Sequence, residues 1–229
     1  MQTEKESSLS YFINGLQQGR KNTEALVHYH HIPSKPAEFG HPLTFQDPLQ
    51  RALTRFGIDR LYTHQVEAIE HIRNGSHVIV ATPTASGKSL IYNLSVLEAS
   101  LTNNQTKALY IFPLKALEQD QMKTLRLWID AMGKTGISAE IYDGDTPTHT
   151  RKKIRSKPPH ILFTTPDMLH HGILAYHDSW EKLLAGLSFI VLDEVHTYRG
   201  IFGSHVNQVI RRLKRLCHYY GSRPQLILL

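Results

Sequence analysis

The sequence predicts an α/β fold: an open, mostly parallel sheet with helices on both faces, preceded by a short helical N-terminal extension. Three observations carry that prediction. Apolar runs of strand length alternate with stretches of helical periodicity from about residue 64 onward. Most of those runs are continuously apolar, as expected of strands covered on both faces. The 229 residues, 41% of them hydrophobic, suffice for one substantial core. Residues 1–46 read as extension and connector, and 47–229 as a single lobe.

In the extension, Leu9, Phe12, Ile13 and Leu16 of "LSYFINGL" share one helical face, a pattern that packing explains without further function. The stretch "IPSKPAEFGHPLTFQDP" (32–48) carries four prolines and reads as an extended connector, so the compact domain is expected to start near Asp47. Strands are expected at "HVIVA" (77–81), "ALYIF" (108–112), "AEIY" (139–142), "HILFTT" (160–165), "FIVLD" (189–193) and "QLILL" (225–229). Helical patterns fall at about 64–73, 88–100, 115–131, 147–156, 180–185 and 203–219. That alternation implies right-handed crossovers, with ligands bound at the carboxyl ends of the strands.

Composition narrows the function classes. No apolar run approaches the roughly 18 residues of a membrane span. The opening "MQTEKESSLS" lacks a signal peptide's basic start and apolar centre. One cysteine, Cys217, leaves no internal disulfide and no CxxC zinc site, so an intracellular, cytoplasmic setting is expected. The formal charge of +6 suits a polyanionic partner without proving one. Fifteen histidines include "HYHH" at 28–31, but no carboxylate or cysteine stands at ligand spacing there.

"TPTASGKS" (82–89) joins a strand to a helix, the context in which helix-start N–H groups and the helix dipole bind phosphate. In such a loop Thr84, Ala85, Ser86 and Gly87 cradle ATP, Lys88 reaches its β- and γ-phosphates, and the Ser89 hydroxyl meets Mg²⁺. Two residues depart from the pattern: Thr82 stands where a glycine is usual, and Pro83 offers no N–H. "FIVLDEVH" then delivers two adjacent carboxylates to a strand end on the same sheet edge. Asp193 is placed to hold Mg²⁺, and Glu194 to polarise an attacking water. An acidic pair facing solvent is the plainer alternative.

Together these residues resemble superfamily-two helicases of the DExH kind, from about residue 28 to the last. The resemblance accounts for Thr82, since the family's first motif often opens on a small residue other than glycine. It implies a RecA-like lobe and several further roles. In "LYTHQ", Gln65 corresponds to the residue that reads the adenine edge, with Arg60 or Tyr62 flanking the base. In "FPLKALEQDQ", Pro113, Leu114 and Lys115 correspond to nucleic-acid backbone contacts. So do Gly144 in "YDGDT" and Thr165, Pro166 and Asp167 in "TTPDML". His196 corresponds to the residue that couples the nucleotide and nucleic-acid sites.

The segment "DEVHTYRGIFGSHVNQVIRRLKRLC" (193–217) is similar to the MrfA (YprA) group of DNA-repair helicases, related to the RecQ-four-like helicases of fungi. "TASGKS", with Ala85, also resembles that group, whereas Pro83 departs from it and puts one loop contact in doubt. The resemblance implies an ATP-driven DNA translocase moving 3′ to 5′ on single-stranded or partly single-stranded DNA. It also implies a second RecA-like lobe and a zinc-binding domain elsewhere. The sequence ends at "QLILL", before the family's motif III, so this chain alone is expected to bind nucleotide weakly and hydrolyse little. A second-lobe arginine finger is worth roughly 10³ to 10⁵ in rate. An RNA-remodelling helicase and a P-loop nucleotide sensor remain the competing readings.

Two basic clusters complete the sequence. "RKKIRSK" (151–157) falls on an expected helix. On "VIRRLKRLC", Arg211, Lys214 and Arg215 share a face while Ile210, Leu213 and Cys217 can point inward. Each is either a solvated helix face or a set of phosphate contacts.

Overall fold

The structure, a computed structural model, describes residues 11–15, 36–82 and 86–229. Its contacts divide the chain into two units, Met1–Ala37 and Glu38–Leu229. In the first, residues 11–15 are helical, with Tyr11 and Phe12 exposed. Leu9, Leu16 and the histidines at 28–31 lie outside the described residues.

The second unit opens at Glu38, upstream of the expected Asp47, because residues 38–40 are bound to the segment that leads into the helix starting at Thr63. Gly40 N–H donates to Leu61 O and Thr63 N–H to Glu38 O, both at 3.0 Å. The elements follow as α1 (Asp47–Arg55), α2 (Thr63–Arg73), β1 (Val78–Ile79), α3 (Lys88–Thr102), β2 (Lys107–Ile111), α4 (Lys115–Met132) and β3 (Ala139–Ile141). After them come α5 (Thr148–Ser156), β4 (Ile161–Thr164), α6 (Glu181–Ala185), β5 (Leu187–Leu192), α7 (Gly200–Tyr219) and β6 (Gln225–Leu228).

The six strands form one sheet in the order β1-β6-β5-β2-β4-β3, every pairing parallel. Side chains of period two divide it into two apolar layers. Tyr110, Phe112, Phe163 and Val191 pack with Leu49, Ile69, Leu94 and Leu125 of α1 to α4. Leu109, Ile111, Leu162 and Ile190 face Ile154, Trp180, Leu183 and Leu213 on the other side. The central strands β2, β4 and β5 are therefore buried on both faces, which is why they read as continuous apolar runs.

Two regions differ from the sequence reading. Helix α1 falls at the end of what reads as a connector; it starts with a proline in its first turn and buries Leu49, Ala52 and Leu53. After β4 the chain runs through a short α-turn (Pro166–Met168), a π-helical turn (Leu169–Ile173) and a 3₁₀ stretch (Leu174–Trp180). That irregular run buries Trp180 completely, its indole N–H donating to Gly172 O at 3.1 Å. No helix among the described residues is long and apolar enough to cross a membrane.

Candidate active site

Parallel strands bring the loops that follow β1, β2, β3, β4 and β5 to one edge of the sheet. The phosphate-loop residues, Asp193, Pro113, Gly144 and Thr165 all lie on these loops.

After β1, Gly87 caps α3 in the left-handed region at φ 74°, a conformation that an L side chain adopts at a cost. A Cβ there would stand 2.5 Å from Gln65 Nε2. Gln65 is buried, and its amide is engaged at both ends: Oε1 accepts from Tyr62 N–H and Nε2 donates to Gly87 O, both at 3.0 Å. The residue expected to read adenine thus ties the start of α2 to the start of α3. Lys88 Nζ donates to Thr82 O at 3.2 Å, and the Thr82 and Ser86 hydroxyls meet at 2.6 Å. Thr82, in the place usual for glycine, therefore braces the loop through a hydroxyl that glycine lacks. Ser89 is partly buried on the first turn of α3. Pro83, Thr84 and Ala85 lie outside the described residues.

Beside Gly87 lies a cavity of about 500 Å³ lined by Phe39, Arg60, Tyr62 and Gln65 among others. Phe39 and Tyr62 stack with ring centroids 5.3 Å apart, and the Arg60 guanidinium sits 4.7 Å over the Phe39 ring. Phe39 lines this cavity, and the sequence reading passed over it. Its one signal was its place in "AEFG", inside a proline-rich stretch whose backbone joins Tyr62 in an isolated antiparallel bridge.

At the end of β5, Asp193 is 8% exposed. Its Oδ1 accepts from Glu194 N–H at 2.9 Å and its Oδ2 from the Tyr92 hydroxyl at 3.2 Å. Burial pushes the Asp193 carboxyl above the usual range, helped by the Glu194 charge and opposed by the Glu194 N–H, Tyr92 and Lys88. Burial, with Asp193 and Tyr110 nearby, holds the Tyr92 phenol well above its ordinary value, so it remains a donor. Glu194 is the one non-glycine residue with positive φ among the described residues, at 53°. Its carboxylate Oε2 lies 3.2 Å from His196 Nδ1. The carboxylates are adjacent in sequence yet differently placed: Asp193 is buried, and Glu194 is partly exposed.

Further along the edge, Leu114 and Lys115 are exposed while Pro113 is partly buried. Lys115 Nζ pairs with Asp145 Oδ2 at 2.8 Å and lies over Gly144, where a Cβ would approach it to 3.3 Å. Arg151 turns back into this loop, donating to Thr146 O at 2.8 Å and to Asp143 O and Gly144 O at 2.9 Å. The first cation of the "RKKIRSK" cluster is thus a brace for the glycine turn, while Lys152 and Lys153 are exposed. Thr165 caps the turn that follows, its hydroxyl accepting from Met168 N–H at 3.3 Å; Pro166 is buried and Asp167 exposed. On α7, Ile210, Leu213 and Cys217 are buried and Arg211, Lys214 and Arg215 exposed. No cluster of three histidine, cysteine or acidic residues among the described residues is grouped to hold a metal.

A family model described as DEAD/DEAH box helicase matches residues 62–229. The chain is similar to an uncharacterized ATP-dependent helicase, YprA, of Bacillus subtilis, 46% identical over 224 residues; the match covers 97% of this chain and 29% of that protein. The ATP-dependent helicase hrq1 of Schizosaccharomyces pombe is 41% identical over 206 residues, covering 90% of this chain and 19% of that protein. Among solved structures, the DUF1998 helicase MrfA bound to DNA and AMPPNP superposes with a TM-score of 0.84 at 48% identity, covering 88% of this chain and 28% of that one. The chain spans less than a third of the length of each. Its fold is the RecA-like one, and with the family match running from the Tyr62 loop to the last strand, the chain belongs to the DEAD/DEAH box helicase family.

Proposed function

We propose that this chain is the first RecA-like lobe of an ATP-dependent DNA helicase, the ATP-binding lobe running from Glu38 to Leu229 with the residues before it an extension. The observation that carries the reading is the gathering of two chemistries on one sheet edge. Lys88 and Ser89 lie on one side with Asp193 and Glu194, and the exposed Leu114, Lys115 and Gly144 lie further along.

Bound Mg·ATP supplies a phosphoanhydride, with the cation neutralising charge on its phosphates. The chain's own donors fit that cation: Ser89 and Asp193 offer only oxygens, the choice of a hard divalent ion. The Phe39–Tyr62–Arg60 cavity takes the base, and Gln65 holds the pocket against the phosphate loop. Lys88 leaves Thr82 O for the phosphates. Glu194 orients the attacking water, and His196, 3.2 Å from it, links that carboxylate to the rest of the edge. Pro113, Leu114, Lys115, Gly144 and Thr165–Asp167 bear on one DNA strand. Lys115 must exchange Asp145 for a phosphate to do so.

DNA is preferred over RNA because the similar MrfA was solved with DNA bound. A place in DNA repair and 3′ to 5′ movement follow the group resemblance. A second lobe supplies the arginine finger, so the isolated lobe turns over ATP slowly.

The test is ATP hydrolysis by the full-length protein with single-stranded DNA, with single-stranded RNA and with neither. Stimulation by DNA alone is expected. Equal or greater stimulation by RNA rejects the DNA assignment, and hydrolysis unchanged in a Lys88→Ala variant rejects the ATP site.

A further inference from the structure

Tyr92 stands one helical turn beyond Lys88 on α3, so the two side chains leave the same face. The ring is fully buried, edge-on to Tyr110 with centroids 5.0 Å apart and planes at 83°. Its hydroxyl lies 3.2 Å from Asp193 Oδ2 and 3.1 Å from the Gln121 side-chain amide. A phenol has one proton and cannot donate to two oxygens. An ionised carboxylate is the stronger acceptor and takes it. The Gln121 atom placed at the phenol is Oε1; exchanging that amide's O and N, which are told apart only by their hydrogen bonds, turns its NH₂ to the phenol oxygen and pairs all three groups.

Each end of this chain of hydrogen bonds matters. Asp193 Oδ1 is already held by Glu194 N–H, so Tyr92 supplies the second point that fixes the carboxylate plane. Gln121 belongs to α4, which begins at Lys115 directly after Pro113 and Leu114. It lies about 9 Å along the helix from Lys115, and a helix moves as a rigid body over that length.

We propose that Tyr92 and Gln121 are positioning residues, Tyr92 holding Asp193 in the orientation that receives magnesium-bound nucleotide and Gln121 transmitting to it the state of the DNA-facing end of α4. The proposal rests on the ATP-site reading above. It assigns to the phosphate-loop helix a second task beyond presenting Lys88, and gives the two halves of the sheet edge a direct side-chain connection.

The test is binding of a fluorescent ATP analogue to the full chain, titrated with and without Mg²⁺ and with and without oligodeoxythymidylate. Tyr92→Phe is expected to bind nucleotide as the parent does without Mg²⁺ and to lose about tenfold of the affinity that Mg²⁺ adds. Gln121→Leu is expected to keep that gain without DNA and to lose the change that DNA produces in it. Thermal unfolding, followed in parallel, identifies a variant that fails to fold. If Tyr92→Phe is one, Gln121→Leu carries the test alone. A folded Tyr92→Phe with parental magnesium dependence overturns the positioning role. So does a Gln121→Leu with a parental response to DNA, or a parent whose magnesium gain ignores DNA, for the transmitting role. Lys88→Ala separates the levels. If it abolishes nucleotide binding while Tyr92→Phe changes nothing, only this inference falls; if it binds normally, the ATP-site reading falls with it.

Discussion

Asp193 at the end of β5 and Glu118 in the first turn of α4 are both buried carboxyls near the same sheet edge, yet their surroundings are opposite. Asp193 accepts from a backbone N–H and a phenol. Glu118 is 0% exposed and neither of its oxygens has a hydrogen-bond partner. Burial drives the Glu118 carboxyl up to about 8, Asp143 adds to the rise, and Lys115 opposes it. Its place at a helix N-terminus, which favours negative charge, does not compensate. The difference teaches that burial by itself neutralises an acid. At Asp193 burial raises the carboxyl too, and its two donors oppose that rise where Glu118 has none.

The sharpest way to break the comparison is to remove the charge that the donors support. Asp193→Asn is expected to lower DNA-stimulated hydrolysis by on the order of 10³-fold or more, read by steady-state phosphate release. Glu118 tests the opposite case through stability. Its ionisation lies at 4.5 unfolded and about 8 folded, so the folded state binds the extra proton between those values. The contribution of Glu118 to stability is then full below 4.5 and falls as pH rises toward 8, by on the order of 5 kcal/mol. Thermal melts from pH 4.5 to 8.5 are expected to show that slope in the parent and a flatter one in Glu118→Gln.

Smaller effects sharpen the picture on each side. Arg151→Ala removes the guanidinium donor from three carbonyls of the Asp143–Thr146 turn, and is expected to cost about 2 kcal/mol in a urea titration. Gly87→Ala acts beside Asp193. The left-handed backbone costs about 1 kcal/mol, and the new methyl displaces Gln65, so weaker nucleotide binding with a modest fall in Tm is expected.

Much of this was legible in the sequence for definite reasons. Continuous apolar runs such as "ALYIF" and "FIVLD" announce doubly covered strands. Parallel pairing then obliges Lys88 and Asp193 to share an edge, although the two are far apart in sequence. What was hidden depends on single contacts. Helix α1 has its Leu49, Ala52, Leu53 spacing, but four prolines in residues 32–48 drown it. The π and 3₁₀ run after β4 has no constant period to detect. Phe39 stacks because one antiparallel bridge brings it to Tyr62. Tyr92 is one aromatic residue in an apolar helix, and nothing in its spacing tells a hydroxyl aimed at Asp193 from a ring that merely fills space. Gln65 could be singled out in "LYTHQ", but not its double engagement with Tyr62 and Gly87.

The left-handed backbone at Glu194 sets folding and chemistry against each other at one position. A glycine there would relax the main chain by about 1 kcal/mol and discard the carboxylate. Mutational scans scored for stability alone should therefore rank glycine above the resident acid at 194, while scans scored for ATP turnover should rank it among the dead variants. That inversion is the outcome expected of a residue that carries the role proposed for Glu194 in hydrolysis, and equal rankings in the two scans would reject that role.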